Sequence, residues 1–188
     1  MHSICVFCGS RTGHDPDWSA SAEAIGRLLG RQGRHLVFGG GKVGLMGVVA
    51  DAALAQGGTV TGIIPEHLMR REVAHTGVQL EVVPDMLTRK QRMMDLADAA
   101  VTLPGGLGSL DELLEVMTWR QLGQLDAPLA LFNQKNYYGP LLAQFEQAVT
   151  AGFMDRAHLD LIRVVEDMDE LAHWLDATAA SGAAGAGT

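Results

Sequence analysis

Positive charge is in short supply in this chain. Lys and Arg number 14 against 22 Asp and Glu, a formal net charge of −8 at neutral pH. That balance excludes the broad basic surface on which non-specific nucleic-acid binding depends, while leaving room for a local cationic pocket. Cysteine is scarcer still, with only Cys5 and Cys8. They form a lone C-x-x-C, but none of the seven histidines clusters nearby to complete a zinc site. A redox pair would stand at a helix start, whereas these lie inside the first apolar run, so they read as small buried hydrophobes. Aromatic residues are only 5% of the chain, which makes the interior aliphatic. No apolar run reaches membrane-spanning length, and the one at 4–7 stops at Gly9 before a signal-peptide pattern develops. The expectation is a soluble, cytoplasmic protein that engages neither membrane nor nucleic acid.

What is present is glycine, 23 residues of it, within 188 residues that are 47% hydrophobic. That length suits one domain with a sizeable core and is too short for two comfortable ones. Short apolar runs at 3–8, 35–38, 59–64, 78–83, 99–103, 129–132 and 161–164 read as strands. Helical spacing occupies 18–29, 45–55, 88–97, 110–122, 140–151 and 168–175. The alternation predicts an α/β fold: a single Rossmann-like domain over 1–176, its mostly parallel sheet covered by helices on both faces. Residues 177–188 are small and nearly uncharged, and read as a disordered tail.

The most informative stretch runs from Leu103 through Pro104, Gly105, Gly106, Leu107, Gly108, Ser109, Leu110 and Asp111 to Glu112. Strand, glycine-rich turn and helix start in that order aim backbone N–H groups at one small anionic site. A second glycine-rich loop, Gly39-Gly40-Gly41-Lys42-Val43-Gly44, also follows a strand, and the first strand ends in Gly9-Ser10. Glycine lets backbone approach a ligand closely. Neither loop has the spacing of a nucleotide triphosphatase, nor is an acidic residue placed for an NAD ribose. Two such turns at strand ends predict a shared phosphate crevice, with Ser10, Gly40, Gly41, Gly105, Gly106, Gly108 and Ser109 as candidate contacts.

Charged residues near these turns carry the candidate chemistry. Thr88 with Gln91 reads as a helix N-cap, which sets Arg89 and Lys90 in a first turn where cations oppose the helix dipole. A bound anion would remove that conflict, and arginine can clamp two oxygens at fixed geometry. Glu112 has two readings. With Ser109 it forms an acceptable capping box; aimed into the pocket, it would stabilise positive charge at an anomeric carbon or position water. Asp111 and Glu115 are close enough in sequence to share the site. Glu72, after Arg70 and Arg71, reads as part of a solvated loop, Thr118 as a core-edge residue, and Tyr137-Tyr138 as a turn before a helix.

These residues closely resemble the LOG (Lonely Guy) family, also known as lysine decarboxylase-like. The family pattern P-G-G-x-G-T-x-x-E stands here as Pro104 to Glu112, with Ser109 in place of threonine. G-G-G-x-x-G-L-M-G matches Gly39 to Gly47, and the R-K pair matches Arg89 and Lys90. The resemblance implies hydrolysis of the N-glycosidic bond of N6-substituted adenosine 5′-monophosphates (cytokinin riboside monophosphates) and of AMP. It implies a catalytic pair, Arg89 and Glu112, with substrate contacts at Glu72, Lys90, Gly105, Gly106, Gly108, Ser109 and Thr118. It also implies no redox cofactor, metal or pyridoxal phosphate, and a homodimer or an assembly of dimers with the site near the subunit interface. The alternative is a nonenzymatic carrier or sensor of a phosphorylated ligand such as molybdenum cofactor. Amino-acid decarboxylation is disfavoured, because no lysine stands in an obvious pyridoxal site.

Overall fold

The structure is a computed structural model that describes residues 2–69 and 73–185, with side chains of the last helix described through residue 179. In chain order the elements are β1 (Ser3–Phe7), α1 (Pro16–Arg31), β2 (His35–Phe38), α2 (Gly44–Ala55), β3 (Thr59–Pro65), β4 (Gln79–Val83) and α3 (Met86–Asp95). There follow β5 (Ala99–Thr102), α4 (Leu107–Gln121), β6 (Leu129–Phe132), α5 (Gly139–Thr150), β7 (Arg163–Val165) and α6 (Met168–Gly185). The seven strands form one sheet in the order β4-β3-β2-β1-β5-β6-β7, every named pairing parallel. This is the α/β architecture expected from the alternating pattern.

Strand order reverses between β1 and β5, which pair from Ile4–Ala99 to Phe7–Thr102. Chains leaving two adjacent strands in opposite directions open a crevice at their carboxyl ends, the usual ligand site of such sheets. The strands are buried on both sides because two apolar layers cover them. Ile4, Val6 and Cys8 join the layer of α1, α2 and α6 through Ile25, Leu29, Val49, Leu171 and Leu175. Cys5 and Phe7 join the opposite layer with Met93, Leu113 and Met117. The two cysteines therefore face opposite sides of the sheet, both buried and free. C-x-x-C spacing in a strand does this geometrically, since side chains alternate faces with period two.

Three expected boundaries move. The cap of α3 is Asp85, whose carboxylate accepts from Thr88 N–H at 2.8 Å. Arg89 and Lys90 accordingly lie in the second turn, where opposition to the dipole is weaker. The cap of α4 is Gly106, with no side-chain cap, so Ser109 and Glu112 form no capping box. At the other end, α6 continues to Gly185, through residues expected to be a disordered tail. Alanine dominates that segment and has the best intrinsic helix propensity, which the low charge of the stretch obscured. Among the described residues, no helix is long and apolar enough to cross a membrane.

Candidate active site

The loops leaving β1, β2 and β5 converge above the switch point. Gly9 N–H donates to Pro104 O, and Leu45 N–H donates to Gly9 O, binding the three turns together. Gly44 sits at φ 67°, and a Cβ there would lie 2.2 Å from the Ser10 carbonyl carbon, so only glycine closes this junction. A Cβ on Gly105 would lie 2.1 Å from Ser109 Oγ. Around Gly106 and Gly108 the space is open among the described residues.

A concavity of about 120 Å³ lies between these turns, lined by Phe7, Cys8, Ser10, Gly39, Met46, Arg89, Gly106, Gly108, Ser109 and Glu112 among others. It brings together a cation from α3, a carboxylate from α4 and the open N-terminus of α4, which are far apart in sequence. Arg89 is buried and held on backbone: Nε donates to Ile63 O at 3.2 Å and Nη2 to Gly39 O at 2.8 Å. A Cβ on Gly39 would lie 2.0 Å from that Nη2, so the loop must be bare where the guanidinium lies. Glu112 is also buried, in the second turn of α4. Burial, and next the Glu112 carboxylate, push the Cys8 thiol well above the ordinary range, with Arg89 pulling the other way. A protonated, unreactive thiol is thus part of the wall.

A wider concavity of about 560 Å³ meets the first at Ser10, Gly106 and Leu107, walled by Arg11, Trp18, Pro104, Gly105 and Tyr137. Tyr137 Oη donates to Gly105 O and Tyr138 Oη to Leu103 O, each at 2.7 Å, so the segment before α5 buttresses the β5 turn. Tyr137-Tyr138 is thus more than a marker of a turn. Proximity of its hydroxyls to β5 was not readable from local sequence.

Other candidates lie elsewhere. Lys90 Nζ binds Asp111 at 3.0 Å and also Glu115, so all three tie α3 to α4 and none lines the first concavity. Burial opposes the Lys90 charge, but hydrogen bonds from the ammonium to Glu115 and Asp111 outweigh it and raise its pKa. Thr118 is exposed and donates to Leu114 O within its own helix. Gly40 and Gly41 are buried beneath the loop, whose Gly39 is the residue reaching the concavity. Glu72 lies outside the described residues. Gly39, Met46 and Cys8 were not singled out as site residues. Their positions beside Gly9-Ser10 and within the second glycine loop are the signals that could have found them. Among the described residues, no three His, Cys, Asp or Glu side chains gather as metal ligands would.

A family model described as "Possible lysine decarboxylase" matches residues 46–175. A cytokinin riboside 5′-monophosphate phosphoribohydrolase of Rhodococcoides fascians is 44% identical over 169 residues, 89% of this chain and 85% of that protein. A protein of the same name from Arabidopsis thaliana is 41% identical over 174 residues, 92% of this chain and 82% of that protein. Among solved structures, the molybdenum cofactor carrier protein of Chlamydomonas reinhardtii superposes with a TM-score of 0.70 at 17% identity, covering 95% of this chain and 98% of that one. The molybdenum cofactor binding protein of Rippkaea orientalis also gives 0.70, at 20% identity, covering 94% and 96%. At those identities what is shared is the fold. The sequence relatives, matched along most of both chains, go further: this chain belongs to the family of cytokinin riboside 5′-monophosphate phosphoribohydrolases.

Proposed function

We propose that this protein hydrolyses the N-glycosidic bond of nucleoside 5′-monophosphates carrying an adenine-type base, N6-substituted adenosine monophosphates foremost and AMP among them. Water adds to C1′, the bond to the base nitrogen breaks, and the base leaves with a proton as ribose 5-phosphate is released. The observation that carries this reading is the meeting of Arg89 and Glu112 in one concavity at the bare N-terminus of α4.

Each part has a physical role in such a reaction. The open amides at Gly106 and Gly108 suit the 5′-phosphate, where unsatisfied N–H groups and the helix dipole favour an anion. Arg89, fixed on two carbonyls, presents its charge to phosphate or ribose oxygens without reorganising. Glu112 stabilises positive charge developing at C1′ or orients the attacking water. Phosphate held away from the scissile bond supplies binding energy that offsets sugar distortion. About 120 Å³ is less than a ligand pocket usually offers, so the nucleotide extends into adjoining space. The reading includes a homodimer, supported by exposed leucines on and beside α4, Leu114 and Leu122, and a cytoplasmic location, which suits two free thiols.

Incubation with AMP, N6-isopentenyladenosine monophosphate and their nucleosides, read for free base and ribose 5-phosphate, tests the reaction. Monophosphates are cleaved and nucleosides are not. Glu112→Gln lowers kcat by about 100-fold or more, the scale of lost carboxylate participation. Near-normal turnover by that variant removes Glu112 from the chemistry. Tight binding of a molybdopterin without base release from any nucleotide would turn the assignment to a carrier.

A further inference from the structure

His75 lies outside the concavity, yet it is one of few buried polar side chains in the protein, 4% exposed. Both ring nitrogens are used. Gly77 N–H donates to Nδ1 at 3.1 Å, which leaves the ring proton on Nε2, 3.0 Å from Asp51 Oδ1 on α2. Its ring meets Phe38 of β2 edge-on, with centroids 6.3 Å apart. The backbone around it is pinned as firmly. His75 N–H donates to Gly40 O at 2.9 Å, Lys42 N–H donates to Val73 O at 2.8 Å, and Gly41 bridges Ala74 antiparallel.

This short ladder holds the glycine loop whose preceding carbonyl, Gly39 O, receives Arg89 Nη2. It also holds strain. Val73 sits at φ 47°, a left-handed conformation that costs a β-branched residue and persists only where the surroundings over-determine it. Such strain marks a place where a precise backbone path matters more than local comfort.

We infer that His75 and Asp51 are positioning residues for the reaction: a side-chain latch from α2 that fixes the Gly39–Gly41 turn and, through Gly39 O, the guanidinium of Arg89. The inference rests on the reading of Arg89 given above. The latch touches no substrate. Its effect is on how often Arg89 is found in its working geometry, so its loss appears in kcat more than in KM.

Asp51 is the residue to change, because its side chain is 66% exposed and its substitution leaves the core intact. Asp51→Ala removes the acceptor; Asp51→Asn keeps an oxygen in its place and serves as the conservative control. The expected result for Asp51→Ala is a fall in kcat of about tenfold with KM changed by about twofold or less, the scale at which small misplacements act. Asp51→Asn retains most of the activity. In an Arg89→Lys background, removal of Asp51 adds about twofold or less, since effects passing through one residue do not add. Amide exchange at Lys42 and His75, and exchange of the Arg89 Nε–H resonance, both quicken in Asp51→Ala.

Unchanged kcat in Asp51→Ala, or the full tenfold loss repeated in the Arg89→Lys background, overturns the inference. So does unchanged exchange at Arg89 Nε–H, which is measured without any substrate. If the wild-type protein releases base from no nucleotide, the proposed function fails alone and the exchange measurements still decide whether the latch holds Arg89.

Discussion

At the scale of single residues, the glycines of the two turns divide by what surrounds them. A side chain at Gly39 would strike the Arg89 guanidinium, and one at Gly47 would lie 1.8 Å from Lys42 O, so the fold itself requires both. Gly106 and Gly108 have nothing within 4 Å of a built Cβ. Among the described residues, no side chain or neighbouring loop explains why they are bare. The proposed phosphate site at this helix end would need that clearance. Gly108→Ala, inside α4, is therefore expected to hold or raise stability, by up to about 1 kcal/mol from helix propensity, or a few degrees in Tm. The same variant is expected to raise KM for a nucleoside monophosphate about tenfold, because a methyl group intrudes where backbone and phosphate should touch. Thermal melts beside steady-state kinetics check both halves. Raised stability with unaltered KM would move the phosphate away from this helix end.

At the scale of elements, α3 and α4 supply one catalytic candidate each, and Lys90 is the tie that fixes their spacing. Its ammonium is shielded, and its partners Asp111 and Glu115 sit a turn apart on α4. Lys90→Met takes from Glu115 the counter-charge that Lys90 supplies, a loss of about 1–2 kcal/mol, between the values for surface and buried pairs. For a chain of this length that lowers Tm by about 3–6 °C. Glu115→Gln in the same chain should recover part of the loss, read by thermal or urea unfolding; full additivity would deny the pair. The same helices indicate how much the sequence could tell. Strand β2 was legible to the residue, because an apolar run between a glycine and three glycines has one reading. The starts of α3 and α4 were misplaced because Thr88 and Ser109 look like caps. The chain instead uses Asp85, whose carboxylate accepts from Thr88 N–H, and the bare backbone of Gly106. Arg89 and Glu112 were legible as a pair only through the resemblance. That Lys90 and Asp111 hold each other was not, since an ion pair between helices separated by a strand has no local signature.

At the scale of the molecule, the outer face of α4 is unusual for a protein with so many acidic residues. Leu114 on α4 and Leu122 just past its end are 41% and 62% exposed, and Leu107, at the start of the helix where the two concavities meet, is 86% exposed. Leu87 of α3, also exposed, shares a surface hollow with Trp119 of α4. Exposed leucines of this size are what association covers, and a two-fold axis along the helix would pair this face with itself. Thr118 and Asp111 lie on the same helix and are exposed, away from the concavity of one chain. If a second chain covers α4 in the proposed dimer, Thr118 and Asp111 are covered with it, and the substrate contacts that the resemblance implies at these positions would then be made across the interface. The single chain has a mass of 20.0 kDa, so sedimentation of the wild-type protein should report about twice that, or a multiple. If α4 pairs with itself, Leu114→Asp sets like charges against each other and should yield monomer, at little expense to the chain's own stability because the residue is already exposed. Activity should fall with the dimer and return in neither salt nor excess substrate. A monomeric Leu114→Asp protein with wild-type kcat and KM would mean that one chain holds the complete site, and that Thr118 takes no part in it.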